Sequence, residues 1–154
     1  MSKEYKTVVI SQPMYFPWCG IFDQIRLADI FVHYEDVQLS RGFFNRVQIK
    51  NKYGTTFLTV PIKAKERNQK INESRISYDH DWISKHKDKL RDAYVKTDFY
   101  DQAIAIFESC VFKNFTLLSD LGISSIETLS DFLNIKESTI FMRSTYLKAQ
   151  GRSS

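Results

Sequence analysis

The chain has 154 residues, a formal net charge of +4 and a hydrophobic content of 43%. A chain of this length folds most simply as one domain, and such a domain buries about 68–70% of its unfolded surface. No apolar run approaches the ~20 residues of a transmembrane helix. The first residues do not resemble a signal peptide, and the two cysteines are widely separated. We therefore expect a cytoplasmic protein without membrane insertion.

The mildly basic charge balance also bears on the expected partner. Lysine and arginine are spread along the chain, with a modest concentration at residues 41–70. Such a distribution fits a solvated surface, and it also suits an anionic small molecule such as a nucleotide or nucleotide-sugar. Nucleic-acid binding needs a denser basic stripe or a recognisable module, so we do not expect it.

The first predicted elements are a strand, a tight loop, a helix and a second strand. The β-branched run at 6–12 predicts a buried strand, apolar residues at helical spacing predict a helix over 20–28, and 30–34 is a second apolar strand. Two apolar strands joined by one helix indicate a parallel crossover unit. The turn NKYG between 47–50 and 55–62 then predicts a β-hairpin, which makes the sheet mixed.

The second half of the chain is predicted to be mostly helical. Helices fit 81–96, with Asp79 or Asp81 as the cap, 99–112, and 115–133 with Gly122 as a candidate break. Residues 138–145 are predicted to form a further strand. The basic segment 63–70 has no apolar period and is expected to be a mobile loop, followed by an extended piece at 71–78. The fold class is therefore α/β: a Rossmann-like, mixed, mostly parallel sheet with a β-hairpin insertion and a helical second half.

The loop QPMYFPWCG, residues 12–20, is the first candidate for a ligand site. Open α/β sheets bind ligands beyond the carboxyl ends of their strands, and a helix N-terminus there favours anions. Tyr15 and Trp18 can stack on a base or sugar ring, Gly20 allows close approach of the backbone, and Gln12 begins the loop. We predict that these four residues bind substrate. The competing interpretation is that the aromatic side chains fill the core.

Polar side chains after the second predicted strand form the other half of this candidate site. Arginine suits phosphate or carboxylate, and amide side chains suit a sugar hydroxyl or a base edge. Asp36 can bind a hydroxyl, position a metal or act as a base. We predict that Asp36 and Arg46 are catalytic and that Gln38 and Asn45 bind substrate, with Arg41 nearby. The alternative is a turn-capping aspartate among solvated arginines.

The sequence identifies no cofactor and predicts no metal site. The three histidines lack metal-ligand spacing, and Cys19 has no identifiable histidine partner for nucleophilic catalysis. With five glycines in all, the chain contains neither a GxGxxG motif nor a P-loop.

A strand followed by five motifs resembles the WbqC-like protein family of bacterial polysaccharide and O-antigen gene clusters. The motifs are QPMYFPWCGIF at 12–22, ADIFV at 28–32, DVQ at 36–38, NRVQIK at 45–50 and LTVP at 58–61, with weaker likeness as far as MRSTYL at 142–147. The resemblance implies a transferase-type domain that handles a nucleotide-sugar or an acyl or aminoacyl donor in surface-polysaccharide biosynthesis. The layout is similar to nucleotidylyltransferase domains, but their HxGH motif is replaced here by PWCG.

Members of this family continue beyond the position of residue 154. The resemblance therefore implies that residues 1–154 are a single WbqC-like domain truncated at the C-terminus, corresponding to about two thirds of a member. Missing packing partners would leave apolar area exposed at one sheet edge, so we expect self-association. The alternative function is a catalytically inactive binding or accessory module that a partner chain completes.

Overall fold

The computed structural model describes residues 5–40, 42–63, 67–135 and 139–150, so the predicted site residue Arg41 lies outside the described residues. In chain order the elements are β1 (Val8–Ser11), α1 (Gly20–Leu27), β2 (Ile30–His33), β3 (Arg46–Asn51), β4 (Gly54–Thr59), α2 (Trp82–Tyr94), α3 (Tyr100–Val111), α4 (Leu118–Phe132), β5 (Ile140–Arg143) and α5 (Ser144–Gln150). The predicted α/β class, the hairpin and the helical second half are confirmed. None of the helices in the described ranges combines the length and apolar composition required to cross a bilayer.

Three parallel strands form the main sheet, in the order β1-β2-β5. Helix α1 makes the crossover from β1 to β2, as predicted. Within the described residues β1 lies at the edge, and Val8 and Ile10 are 50% and 63% exposed. The prediction of a buried first strand is therefore wrong. Side chains alternate along a strand, and Val9 alone of these three packs against the core beneath α1.

The hairpin forms a sheet of its own rather than joining the parallel strands. Asn51 pairs with Gly54 across a two-residue turn, and Gly54 has the positive φ of 127° that favours glycine. The physical reason for the separation lies in β2. Both of its edges are already occupied, by β1 and by β5, so the chain that leaves β2 must build its next strands elsewhere.

Helix α4 contributes to two hydrophobic clusters and joins them. Leu118 and Leu121 pack in a cluster with the hairpin, α2 and α3. One turn further along, Ile126 packs with Ile25 of α1 and Phe31 of β2 under the parallel sheet. The loop between β1 and α1 lies where these two clusters meet.

The break predicted at Gly122 is wrong, because α4 is continuous from Leu118 to Phe132. A Cβ atom at Gly122 would lie 3.1 Å from the backbone nitrogen of Met14 and 3.2 Å from atoms of Pro13. The glycine therefore allows the loop to pack directly on the helix. Ser125, one turn on, accepts a hydrogen bond from the Phe16 amide at 3.1 Å.

The segment between the hairpin and α2 is only partly described. Residues 64–66 of the basic loop lie outside the described residues, so the expectation of a mobile loop there is not addressed. Lys70 forms an isolated bridge with Gln38. The predicted extended piece instead begins with a single 3-10 turn at Ile71–Glu73.

Candidate functional site

The loop that begins at Pro13 sends one aromatic side chain straight into the core. Tyr15 is 0% exposed, and its hydroxyl lies 3.0 Å from Nδ1 of His86. The other ring nitrogen, Nε2, lies 3.1 Å from the carbonyl oxygen of Thr59. A carbonyl only accepts, so Nε2 carries the proton and Nδ1 accepts from Tyr15. In this position Tyr15 is a core residue whose ring cannot stack on a ligand.

The same burial keeps the His86 imidazole neutral. Desolvation lowers the pKa of His86 to about 4, although the hydrogen bond to Thr59 acts in the opposite direction. Desolvation also raises the pKa of the Tyr15 phenol well above its ordinary value. The pair therefore ties the loop to α2 and β4 through neutral hydrogen bonds.

Trp18 behaves differently from Tyr15, because its side chain is 64% exposed. Its indole lies over the start of α1, and a Cβ atom at Gly20 would lie 2.0 Å from the ring. Gly20 thus makes room for Trp18, rather than for a ligand as predicted. The amides of Ile21 and Phe22 already donate to the carbonyls of Trp18 and Cys19, at 3.2 and 3.0 Å, so these two amides are not available to bind an anion.

Trp18 and Arg46 line one groove with a volume of about 500 Å³, called here the Trp18–Arg46 groove. Its other lining residues are apolar except for one amide: Met14, Phe16, Pro17, Phe43, Val47 and Gln48. The structure therefore brings together one residue from each half of the predicted site.

The guanidinium of Arg46 is held in a fixed orientation. Its Cζ lies 4.6 Å from the ring centroid of Phe57 and 5.9 Å from that of Phe43, and Nε donates to the carbonyl of Gly42 at 3.1 Å. Salt bridges among the described residues include none to Arg46. The groove therefore presents an oriented positive charge beside an exposed indole.

The remaining predicted site residues are placed in other surroundings. The amide of Asn45 donates to the carbonyl of Val60 at 2.9 Å, and Asn45 lines a smaller pocket of about 290 Å³ that Arg46 also borders. Gln38 donates to Asn68 at 3.1 Å, and Asp36 accepts from the Ser144 hydroxyl at 2.7 Å. Gln12 directly follows β1 and is partly buried. By these contacts, Asp36 and Gln38 belong to different neighbourhoods from the groove.

Sequence reasoning missed a buried charge cluster at the carboxyl ends of β2 and β5. Glu35 is 0% exposed. Arg143 donates through Nε to Glu35 Oε1 at 2.7 Å and through a terminal nitrogen to Oε2, while its other terminal nitrogen lies 2.9 Å from Asp120. Thr145 donates to Glu35 at 2.7 Å. The signal in the sequence that could have identified this cluster is a charged residue at the end of each of two apolar strands.

These contacts set the charge states of the cluster. Burial by itself raises the pKa of Glu35, but the hydrogen bonds from Arg143 and Thr145, with the charge of Arg143, hold it below its ordinary value. The hydrogen bond to Glu35 in turn raises the pKa of Arg143. Arg143 also borders an open cleft of about 520 Å³ along α4, together with Asp120 and Glu127. Since this arginine is already paired with two carboxylates, the cluster is less suited to an anion than the groove.

The parts of the chain that the structure describes contain no group of three His, Cys, Asp or Glu side chains arranged to hold a metal ion. His33 at the end of β2 is 1% exposed, and its Nε2 lies 3.3 Å from Glu127 without forming an aligned hydrogen bond. The ring of His33 stacks on Phe141 at 5.5 Å, which is the environment of a core histidine.

Comparison with known proteins identifies the family. The uncharacterized protein Rv1507c of Mycobacterium tuberculosis (strain ATCC 25618 / H37Rv) is 42% identical over 83 residues, which are 53% of this chain and 36% of that protein. The chain thus matches only about a third of the length of this relative. No solved structure matches the chain. The family model of the WbqC-like protein family matches residues 12–154, almost the entire chain. The chain belongs to the WbqC-like protein family.

Proposed function

We propose that the chain binds a phosphate-bearing small molecule in the Trp18–Arg46 groove. The ligand classes that fit are a nucleotide, a nucleotide-sugar, and an acyl or aminoacyl donor. One observation carries the proposal: an indole that is 64% exposed and an arginine without a salt bridge in the described residues line the same groove.

Each lining residue has a role that follows from its chemistry. The planar guanidinium of Arg46 matches the geometry of a phosphate, and its orientation is fixed by Phe57 and Gly42 before a ligand arrives. The Trp18 indole offers a flat apolar surface to a ring or a hydrocarbon chain, and stacking on such a surface contributes about 1–3 kcal/mol per base in proteins that bind single-stranded nucleic acids. The Gln48 amide can bind a hydroxyl or a carbonyl group of the ligand.

The biological setting in the proposal is bacterial surface-polysaccharide biosynthesis in the cytoplasm, with a transferase-type reaction. Family membership supports this setting. In such a reaction, Arg46 would hold the anionic donor and stabilise charge on the leaving group, so catalysis would depend on positioning and electrostatics. Asp36 is not part of the proposed groove, because its carboxylate accepts from Ser144 at the end of β5.

The alternative is a binding or accessory module completed by a partner chain. Among the described lining residues, the groove contains one ionisable side chain, Arg46, surrounded by apolar groups and one amide. This composition binds and orients a ligand but supplies no group for proton transfer at neutral pH, which favours the alternative. Saturable binding of a nucleotide-sugar without turnover would support the module; turnover would support the enzyme.

The experiment is a thermal-shift panel of nucleotides, nucleotide-sugars and acyl thioesters, repeated with Trp18→Ala. We expect the variant to lose most of the ligand-induced shift in Tm. Its free energy of unfolding should change by only about 0.5 kcal/mol, because Trp18 is exposed. Tyr53→Ala is the matched control, since Tyr53 is 85% exposed and lines a different pocket. Equal ligand shifts in Trp18→Ala and wild type would refute the proposed site.

A further inference from the structure

The Trp18–Arg46 groove adjoins a second cavity that is lined entirely by apolar side chains. This apolar pocket has a volume of about 230 Å³ and shares Phe16 and Val47 with the groove. Side chains from the hairpin, α2, α3 and α4 complete it, among them Ile49, Leu58, Leu90, Ala103, Ile106 and Leu129. The two cavities therefore meet at Phe16 and Val47.

The apolar pocket is accessible from solvent rather than sealed in the core. Ala103 is exposed, and Leu90, Ile106 and Leu129 are only half-buried. An accessible apolar cavity beside a few fixed polar groups is the usual composition of a small-molecule site. Because a 150 Å³ apolar cavity accommodates benzene, a pocket of this size can take a chain of roughly eight carbons.

Phe16 stands between the two cavities in a strained backbone conformation. Its φ of 45° is in the left-handed region, which a bulky side chain rarely adopts and which costs about 1–3 kcal/mol. The hydrogen bond from its amide to Ser125 and the stacking of its ring on Phe107, at 6.1 Å, hold it there. In this conformation Phe16 lines both cavities. Strain of this kind is concentrated at ligand sites.

We infer that the groove and the apolar pocket form one two-part site for a phosphate-bearing ligand with a short acyl chain. Arg46 holds the phosphate, and the acyl chain of the ligand passes Phe16 into the apolar pocket. The charge of Arg46 and the hydrocarbon lining next to it complement the two ends of such a ligand. The inference rests on the proposed function and narrows its ligand to the acyl-donor class.

The test is a series of alkyl phosphates from ethyl to octyl, measured below their micelle concentrations by calorimetry. Each methylene group that enters the apolar pocket contributes about 0.8 kcal/mol, so affinity should rise about threefold to fourfold per carbon until the pocket is full. Octanol and inorganic phosphate, which each represent one end of the ligand, should bind much more weakly than octyl phosphate. An affinity that does not depend on chain length overturns the inference.

A pair of variants on α3 tests whether the hydrocarbon chain of the ligand lies in the apolar pocket. Ala103→Phe fills the mouth of the apolar pocket, and we expect it to weaken octyl phosphate at least tenfold while leaving ethyl phosphate unchanged. Ala105→Phe is the control, because Ala105 is an exposed position of the same helix that does not line the pocket. Equal weakening by both variants, or by neither, overturns the inference.

The outcomes separate this inference from the proposed function. Suppose that phosphate compounds bind and that Arg46→Ala abolishes their binding, but chain length and Ala103→Phe have no effect. The proposed function then stands and the acyl inference fails. If no phosphate compound binds in an Arg46-dependent way, the proposed function fails, and the inference fails with it.

Discussion

Two arginines in this molecule have fixed orientations and opposite surroundings. Arg143 at the end of β5 contacts two carboxylates, Glu35 and Asp120. Arg46 at the start of β3 contacts two aromatic rings and a carbonyl. The first charge is neutralised by carboxylates, whereas among the described residues the second is held in place with no carboxylate partner. If the proposed function holds, the partners of an arginine, more than its burial, distinguish a structural residue from a binding residue in this fold.

The largest expected effect is on stability, at the paired arginine. Glu35→Gln removes the buried charge that Arg143 needs, and breaking a buried pair in this way costs about 3–5 kcal/mol. Urea unfolding measures the loss. The control is Asp88→Asn, which removes the partner of Arg91 in an exposed pair and should cost at most about 1 kcal/mol. Equal losses in the two variants would mean that the Arg143 cluster does not support the fold.

The next largest expected effect is the loss of stability on acidification. The core histidine His86 and the charge cluster at Glu35 are expected to lower stability in different pH ranges. His86 has a pKa of about 4 in the fold and 6.5 as its ordinary value. Between these pH values the unfolded chain takes up the proton first, so stability falls as pH decreases from 6.5 towards 4, by about 3 kcal/mol in all. The pKa of Glu35 is lowered from 4.5, so protonation of Glu35 destabilises the fold only below that pH.

Urea titrations at several pH values test this separation. His86→Gln should flatten the dependence between pH 6.5 and 4.5, and Glu35→Gln should leave that part unchanged. A wild-type protein whose stability is constant over this interval would show that His86 is not held neutral in the core.

Substitution of Arg46 is expected to affect stability less than substitution at the Glu35–Arg143 pair, and to affect ligand binding more. Arg46→Ala removes one hydrogen bond and contacts with two aromatic rings, of which Phe57 is half-buried and Phe43 exposed, so the free energy of unfolding should fall by only about 1 kcal/mol. Binding of phosphate ligands should be lost. Arg91→Ala is the matched control, since Arg91 is exposed and outside the groove. If Arg46→Ala unfolds the protein, Arg46 is structural and the comparison with Arg143 fails.

The smallest effect on stability is expected at Gly20. A Cβ atom there meets the indole of Trp18, which is exposed and free to move aside, rather than backbone. Gly20→Ala should therefore change the free energy of unfolding by less than about 1 kcal/mol, since alanine also suits a helix better than glycine. The displaced indole should weaken ligand binding. Trp18 fluorescence shows whether the indole has moved. If it has moved and the ligand affinity of Gly20→Ala is unchanged, Trp18 does not contact the ligand.

Local patterns predicted much of the fold. The spacing of Ile21 and Ile25 indicated α1, the turn at NKYG indicated the hairpin, and Asp81 caps α2 as one of two predicted caps by accepting from the Ser84 amide. Each of these features depends on residues within a few positions of one another. Such interactions are encoded in short stretches of sequence, so periodicity and capping rules are sufficient.

The candidate site was less predictable because its contacts are distant in sequence. Glu35 and Arg143 are 108 positions apart, and Ser125 lies 111 positions from Met14 in the loop it holds. For the same reason Gly122 resembled a helix stop, although its role is to make room for Pro13. Tyr15 and Trp18 are both large aromatic residues of the same loop, and only the tertiary structure determines which side chain points into the core.

The most direct test of ligand binding in the Trp18–Arg46 groove uses the two tryptophans of the chain. Trp82→Phe leaves Trp18 as the sole indole, and among the described residues the buried Nε1 of Trp82 has no hydrogen-bond partner that the change would remove. We predict saturable quenching of Trp18 fluorescence by uridine diphosphate or octyl phosphate, and loss of this quenching when Arg46→Ala is added. Quenching that persists without Arg46, or that appears only in Trp18→Phe, where Trp82 remains, would contradict this prediction.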